Sequence, residues 1–473
     1  MQTAKQKLKR AAPWLFLLLV LAGLAAVRGL AANYEIGYEI MNGDFQNYNP
    51  VRHLLAGQVP YRDFTVYLGA GELYSVGGLL LVLGNSFGRS MFATNFCTWF
   101  YFELLVLAVC LVVIGTARAA RAAALALCSV FFAYVQGANL PFAGQVNTLL
   151  SYAAANGNSA RMMRSAALTL AVLVILLGLH FWQQDTSRRL LAPAVLVPFA
   201  AGFFVPWSND MGGAAYISIA LGYGLYLIRL YRSSIGKIVV QTLRYIVTSV
   251  VGLGVSVLLI SWGHPLAWLR QTRGTSAYQT WYYGNTLSDR VCGVADLHWP
   301  GAAVFCLAAA LAFGIGIFVC RSKRSAVLAA GGFALTLGMV LWNLLYGMVS
   351  ASNNGPTGGA AARAAVLAPA CIIKAVLLVC QKVSFPQVAA RIVPAGCAVL
   401  GAAVLAVGMA GQVQTRIGGH EGYTFVPELG GWIGDQAEKL ATEKELTAAD
   451  GTVTAQSDEG TYDITDGKLI LTI

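Results

Sequence analysis

Apolar runs recur along the chain, separated by short polar turns. Most are roughly 18 to 25 residues long, the length a helix needs to cross a hydrocarbon core about 30 Å thick. Inside a bilayer the backbone must satisfy its own hydrogen bonds, which leaves helices or closed barrels. The runs predict helical spans at approximately 14–32, 92–115, 122–140, 166–182, 191–207, 211–230, 245–262, 300–320, 325–350, 364–382 and 392–411. One further run, Val66 to Gly84, contains Gly69, Gly71, Gly77, Gly78 and Glu72. It reads as a re-entrant or juxtamembrane helix rather than a span, giving about eleven spans, with twelve as the alternative.

The positions of the bases support that choice. If the Val66–Gly84 run does not cross, then Arg118/Arg121, Arg188/Arg189, Arg232/Lys237/Arg244, Arg321/Lys323/Arg324 and Lys382/Arg391 all fall on one side. Lys5, Lys7, Lys9 and Arg10 precede the first span on that same side. The positive-inside rule makes it cytoplasmic. The run Trp14 to Ala32 then reads as a retained anchor rather than a cleaved signal. The expected fold is an all-α polytopic membrane protein, 1–411, whose first outer loop, 33–91, carries surface helices. A small α+β tail, 412–473, follows outside.

Composition agrees. The chain has 473 residues, 57% hydrophobic and 11% charged, with a mean hydropathy of +0.63, which excludes a soluble globular protein. The net charge of +11 follows from loop bases and implies no nucleic-acid partner. Nine cysteines form no CxxC pair. The tail reverses the charge balance, with acids from Glu421 to Asp466 against Arg416, Lys439, Lys444 and Lys468. Residues 433–448 read as helix, and Gly451–Ile473 as short strands around an Asp466-Gly467 turn.

Candidate chemistry gathers in the first outer loop. Asp44, in Asn42-Gly43-Asp44-Phe45-Gln46-Asn47, stands just past a span and before an expected surface helix at about Gln46–Ala56. At the bilayer rim such an acid suits a general base or a charge that stabilises a developing cation. Its structural role would be a helix N-cap. Glu72, in the glycine-rich run, and Asp210, in the corner Trp207-Ser208-Asn209-Asp210, are further candidate catalytic carboxylates. Asp63 is placed to pair with Arg62 or to cap the next segment, and with His53, Trp207 and Asn209 it is also a candidate acceptor or sugar contact. Arg89, Arg161, Arg164 and Arg363 are candidates to hold a lipid phosphate, a task arginine's planar fork suits. Two charges, Glu103 and Lys374, fall within spans, where each costs about 2.5–3.5 kcal/mol, and they are candidates to pair. No spacing assigns a metal or any other cofactor, although a divalent ion near the outer carboxylates stays open. The sequence contains no phosphate-binding P-loop, dinucleotide fingerprint, HExxH or GxSxG motif, so an activated substrate is expected to arrive as a lipid.

From Gly43 to Phe64, and on through Tyr67-Leu68-Gly69-Ala70-Gly71-Glu72 to Phe92, the chain resembles the first outer loop of GT-C-type glycosyltransferases. These are multispanning enzymes that use polyprenyl-phosphate sugars, among them lipid A aminoarabinose transferases and protein O-mannosyltransferases. The shared features are an acid soon after the first span, a surface helix with a small-residue end, an extended Pro-Tyr segment and a non-spanning apolar helix ending near an arginine. Asp44 matches the family acid and Arg89 the arginine. The likeness covers residues 14–115 and is architectural beyond them. The Lys-Pro-Pro segment of the aminoarabinose transferases is replaced by Gly69-Ala70-Gly71-Glu72, and no Tyr follows Arg363.

The resemblance implies an inverting transferase of the bacterial plasma (inner) membrane, part of cell-envelope synthesis, with its N-terminus cytoplasmic and its active site and tail extracytoplasmic. The donor would be a polyprenyl-phosphate sugar. The acceptor would be a glycolipid, an envelope polysaccharide or a protein. A flippase for a lipid-linked glycan and a polysaccharide polymerase or ligase are the competing classes.

Overall fold

The computed structural model describes residues 4–34, 42–66, 69–135, 191–208, 211–283, 300–350, 370–376, 453–457, 460–465 and 468–472. The helices within them are α1 (Ala4–Tyr34), α2 (Asn42–Leu55), α3 (Ala70–Leu83), α4 (Phe87–Ile114), α5 (Ala117–Val135), α6 (Leu191–Phe203), α7 (Met211–Leu230), α8 (Ile235–Ile260), α9 (Pro265–Tyr283), α10 (Pro300–Val319) and α11 (Lys323–Ser350), and residues 370–376 are helical as well. A short 3-10 turn, Val205–Trp207, links α6 towards α7. Five helices are long and apolar enough to cross a membrane: α1, α4, α7, α8 and α11. The protein is a helical membrane protein. The expected spans 166–182 and 392–411 lie outside the described residues.

Three apolar clusters hold the bundle. Leu17, Leu21, Leu24 and Ala25 of α1 follow helical spacing and face Trp99, Phe102, Phe131 and Phe132 on α4 and α5. A second cluster joins α4, α7, α10 and α11 through Ala108, Val112, Ile219, Phe313, Ala330 and Leu335. The third, with Val51, Tyr61, Leu73, Val76, Met91 and Ile260, seats the first loop on the bundle. Within a bilayer, close backbone approach replaces much of the hydrophobic drive. Accordingly, Cβ atoms added at Gly202 and Gly252 would meet the Ser249 and Phe199 carbonyl oxygens at 1.8 and 2.2 Å, so α6 and α8 press together through reciprocal glycines.

Three expectations change and one, the non-spanning α3, holds. The surface helix α2 starts at Asn42, not Gln46, which puts Asp44 within its first turn rather than at a cap before it. α3 covers 14 residues, about 20 Å of rise, too short to cross alone. α8 begins at Ile235, so Lys237 and Arg244 lie on a helix and not in a loop. Long aliphatic stems let such residues reach the membrane edge from within a helix. Finally, Glu103 and Lys374 do not pair. A Cβ at Gly115, just past the end of α4, would lie 3.8 Å from Lys374 Nζ. Glu103, buried beside Trp99, lies on the same helix about 18 Å from that end.

The basic residues converge at one end of the bundle. Arg324 donates to the Gly115 carbonyl and Arg229 to the Cys320 carbonyl, where the last carbonyls of α4 and α10 need donors. In the tail, β1 (Val453–Ser457), β2 (Gly460–Thr465) and β3 (Lys468–Thr472) form an antiparallel meander. Thr465 pairs with Lys468, so the β2–β3 connection is the two residues Asp466-Gly467 expected from sequence. The expected helix at 433–448 lies outside the described residues.

Candidate functional site

The end of the bundle opposite the basic cluster is built around the first loop. After α2 the chain turns at Gly57 (φ 80°) and forms a clamp over residues 59–63. The Asp63 carboxylate accepts from Val59 N–H at 2.8 Å and from Arg62 twice, Nε to Oδ1 at 2.8 Å and Nη2 to Oδ2 at 3.0 Å. Those donors hold the Asp63 carboxyl down at about 2, with the Arg62 guanidinium the larger cause. Inside the clamp Tyr61 sits at φ 66°, a left-handed conformation that non-glycine residues seldom adopt, with its ring buried. Burial, with Tyr74 nearby, pushes the Tyr61 phenol well above its ordinary value, so it stays protonated. His53 stacks on Phe64 at 5.4 Å between ring centroids.

One distant stretch, residues 260–271, closes on this loop through three contacts. Arg62 Nη1 lies 3.3 Å from His264 Nε2, Tyr74 Oη donates to the Ile260 carbonyl at 2.7 Å, and Gln271 Nε2 donates to the Val66 carbonyl at 3.0 Å. The start of α3 meets the polar corner. A Cβ at Gly71 would stand 2.2 Å from Trp207 Nε1, and one at Gly69, itself at φ 114°, would stand 2.7 Å from the Trp207 carbonyl oxygen and from Ser208 Cα. Only glycine lets the α3 backbone slide under that indole. Trp207 is fixed from its other sides by Tyr101 and Phe204, at 6.3 and 5.8 Å. Ser208 Oγ accepts from Met211 N–H at 3.2 Å and so caps α7. The corner is therefore the start of a helix as well as a candidate site.

Glu72 is buried in the first turn of α3, next to the Gly71–Trp207 contact. Asp44 is in the first turn of α2. Arg89 lies in the first turn of α4, exposed, its guanidinium folded over Gly84; a Cβ there would meet Nη1 at 2.6 Å. The length of α3 separates Arg89 from Glu72, about 20 Å. Thus the structure brings Glu72 to Trp207 and engages Asp63 and Arg62 in a clamp, while Arg89 stands at the far end of α3. Asn209, Asp210, Arg161, Arg164 and Arg363 lie outside the described residues.

Sequence reasoning passed over four side chains here. Asn47 Oδ1, Tyr61 Oη, Trp268 Nε1 and Gln271 Oε1 are buried and make no hydrogen bond, as is Trp207 Nε1. Such atoms each cost about 1–3 kcal/mol and mark where a polar partner belongs. All five sit on α2, the clamp, α9 and the corner, the elements that meet at this junction. The signal available was faint: Tyr61 in the Pro-Tyr segment, Trp268 in an aromatic run, and none for Gln271. Among the described residues no group of three or more His, Cys, Asp and Glu side chains gathers to hold a metal. The cysteines Cys97, Cys110, Cys128, Cys306, Cys320 and Cys371 are buried as free thiols. No family model, curated protein or solved structure matches the chain.

Proposed function

We propose that this protein is an integral membrane glycosyltransferase that moves a sugar from a polyprenyl-phosphate donor to an extracytoplasmic acceptor. The observation that carries the reading is the junction itself: α3, which bears Glu72 and packs on α2, slides under the Trp207–Ser208 corner, and α9 bonds Val66 of the first loop, with unpartnered buried polar atoms along the seam. A sugar offers hydroxyls to such atoms and an apolar face to tryptophan, and its prenyl chain suits the surrounding apolar helices.

In this reading the acceptor hydroxyl oxygen attacks the anomeric carbon from the face opposite the phosphate. The carbon–oxygen bond to phosphate breaks, and its electron pair leaves with the polyprenyl phosphate. Asp44 takes the acceptor proton, and the new glycoside has inverted configuration. Glu72, and Asp210 across the corner, are the other candidate carboxylates, with Arg89, Arg161, Arg164 and Arg363 as phosphate partners. The basic end of the bundle then faces the cytoplasm and the junction faces the cell envelope.

The test is sugar transfer in proteoliposomes from a panel of polyprenyl-phosphate sugars to a crude envelope acceptor. Wild type should transfer, and Asp44→Asn, at equal folded yield, should lose about 100-fold or more in rate. Equal transfer by both proteins would move the base to Glu72 or Asp210. Labelled lipid crossing the bilayer without transfer would favour the flippase instead.

A further inference from the structure

Helix α9 has two faces with different chemistry. Ala267, Trp268 and Gln271 turn inward onto the first loop, where Gln271 bonds the Val66 carbonyl. Leu266, Leu269, Arg270 and Arg273 are exposed, the leucines at 65% and 55%. Their spacing, i, i+3, i+4 and i+7, puts all four on one stripe, with the two guanidinium groups rooted one turn apart. Pro265–Tyr283 contains no acid, and neither arginine forms an ion pair among the described residues.

The position of this stripe says what it faces. α8 is long and apolar enough to cross a membrane and ends at Ile260. A turn through Trp262 (φ 49°) and Gly263 (φ 84°) redirects the chain into α9. So α9 starts where an apolar helix leaves the bilayer. Trp262, 45% exposed, stands at that edge, where amphipathic rings collect. The exposed surface of α8, with Val251, Leu258 and Leu259, runs up to the same turn. The stripe on α9 starts four residues past Trp262, beyond the exposed apolar surface of α8, and half of it is cationic.

We propose that the outer face of α9 binds an anionic phospholipid of the surrounding bilayer, with the phosphate between Arg270 and Arg273 and acyl chain against Leu266 and Leu269. An acidic protein segment would match the arginines but leave the leucines in water. A phospholipid matches both halves, and a planar guanidinium pair suits phosphate. Because the opposite face of α9 holds Val66, the lipid also steadies the first loop. The proposal does not require the transferase reading.

The test uses the full chain in vesicles of pure phosphatidylcholine and in vesicles containing phosphatidylglycerol as well. Thermal unfolding and lipid retention, by native mass spectrometry, are read for each. Wild type should gain stability from phosphatidylglycerol. Arg270→Gln/Arg273→Gln should match wild type in pure phosphatidylcholine, lose most of the gain, and retain roughly 10- to 30-fold less phosphatidylglycerol. Arg270→Lys/Arg273→Lys should keep most of the gain, since the charge survives. Arg232→Gln/Lys237→Gln, at the other end of α8, should keep all of it. An undiminished gain in the Arg270→Gln/Arg273→Gln protein overturns the proposal. So does an equal loss in the Arg232→Gln/Lys237→Gln control, or instability of the Arg270→Gln/Arg273→Gln protein in pure phosphatidylcholine.

Discussion

At the residue scale, the first loop depends on single side chains that fix backbone. Asp63 is the clearest case, since one carboxylate holds both the Val59 N–H and the Arg62 guanidinium. Its carboxyl sits at about 2 in the fold against 3.8 ordinarily. A depressed acid contributes stability that is complete above its unfolded value and is lost as pH falls through the folded one. Hydrogen exchange at the Val59 amide, corrected for its intrinsic rate, should therefore stay protected down to about pH 4 and lose protection towards about pH 2. Asp63→Asn should expose that amide at every pH. Protection in the Asp63→Asn protein equal to wild type would show that the clamp does not hold the loop. Sequence supplied this pair, because neighbouring opposite charges beside a Pro-Tyr turn suggest it. It could not supply Tyr61 at φ 66°, because a buried tyrosine in a left-handed turn contradicts local preference and persists only through its tertiary packing.

At the element scale, glycine decides which helices touch. On α8, Gly252 lies against the Phe199 carbonyl, whereas Gly254, two residues on, has open space around its Cβ position. Gly252→Ala must push α6 away from α8 and should cost about 1–3 kcal/mol, read as a lowered midpoint of thermal unfolding in detergent. Gly254→Ala should be neutral or slightly stabilising, since it also removes glycine's unfolded-state freedom. Equal effects at the two positions would mean that the α6–α8 contact is looser than the glycines imply. The existence of α6 and α8 was legible from apolar runs alone, and so was the shortness of α3, from its glycines and Glu72; α9, polar and read as part of an outer loop, was not. Starts were less legible. Lys237 and Arg244 look like loop residues until their stems are allowed to reach out of a helix, and α2 begins on Asn42-Gly43, residues with weak helix preference. The junction was hidden for a different reason. Val66 and Gln271 are 205 residues apart, and no periodicity in a single sequence reports a contact at that separation.

At the scale of the whole molecule, the bundle is polar in direction. α7 runs from the corner at Met211 to Arg229, and α8 returns to the loop at Ile260. The carbonyls bonded by Arg229 and Arg324 therefore mark one end, and the Trp207–Ile260–Val66 junction the other. The positive-inside rule predicts that the basic end lies in the cytoplasm, because translocating clustered Lys and Arg is disfavoured. The proposed chemistry needs the same orientation, since a polyprenyl-phosphate sugar used outside must meet Asp44 and Glu72 there. Single cysteines can decide this. Cys292, Cys380 and Cys397 would first be replaced by serine, the six buried thiols being sheltered. Gln58→Cys, on the exposed loop after α2, should react with a membrane-impermeant maleimide in intact spheroplasts. Ser233→Cys, in the exposed turn between α7 and α8, should react only after the membrane is opened. The reverse pattern would place the junction in the cytoplasm, where the same carboxylates could not meet a donor presented on the outer face. Labelling of both in intact cells would mean that α7 and α8 do not separate two compartments, and the bundle would have to be read as lying within one leaflet.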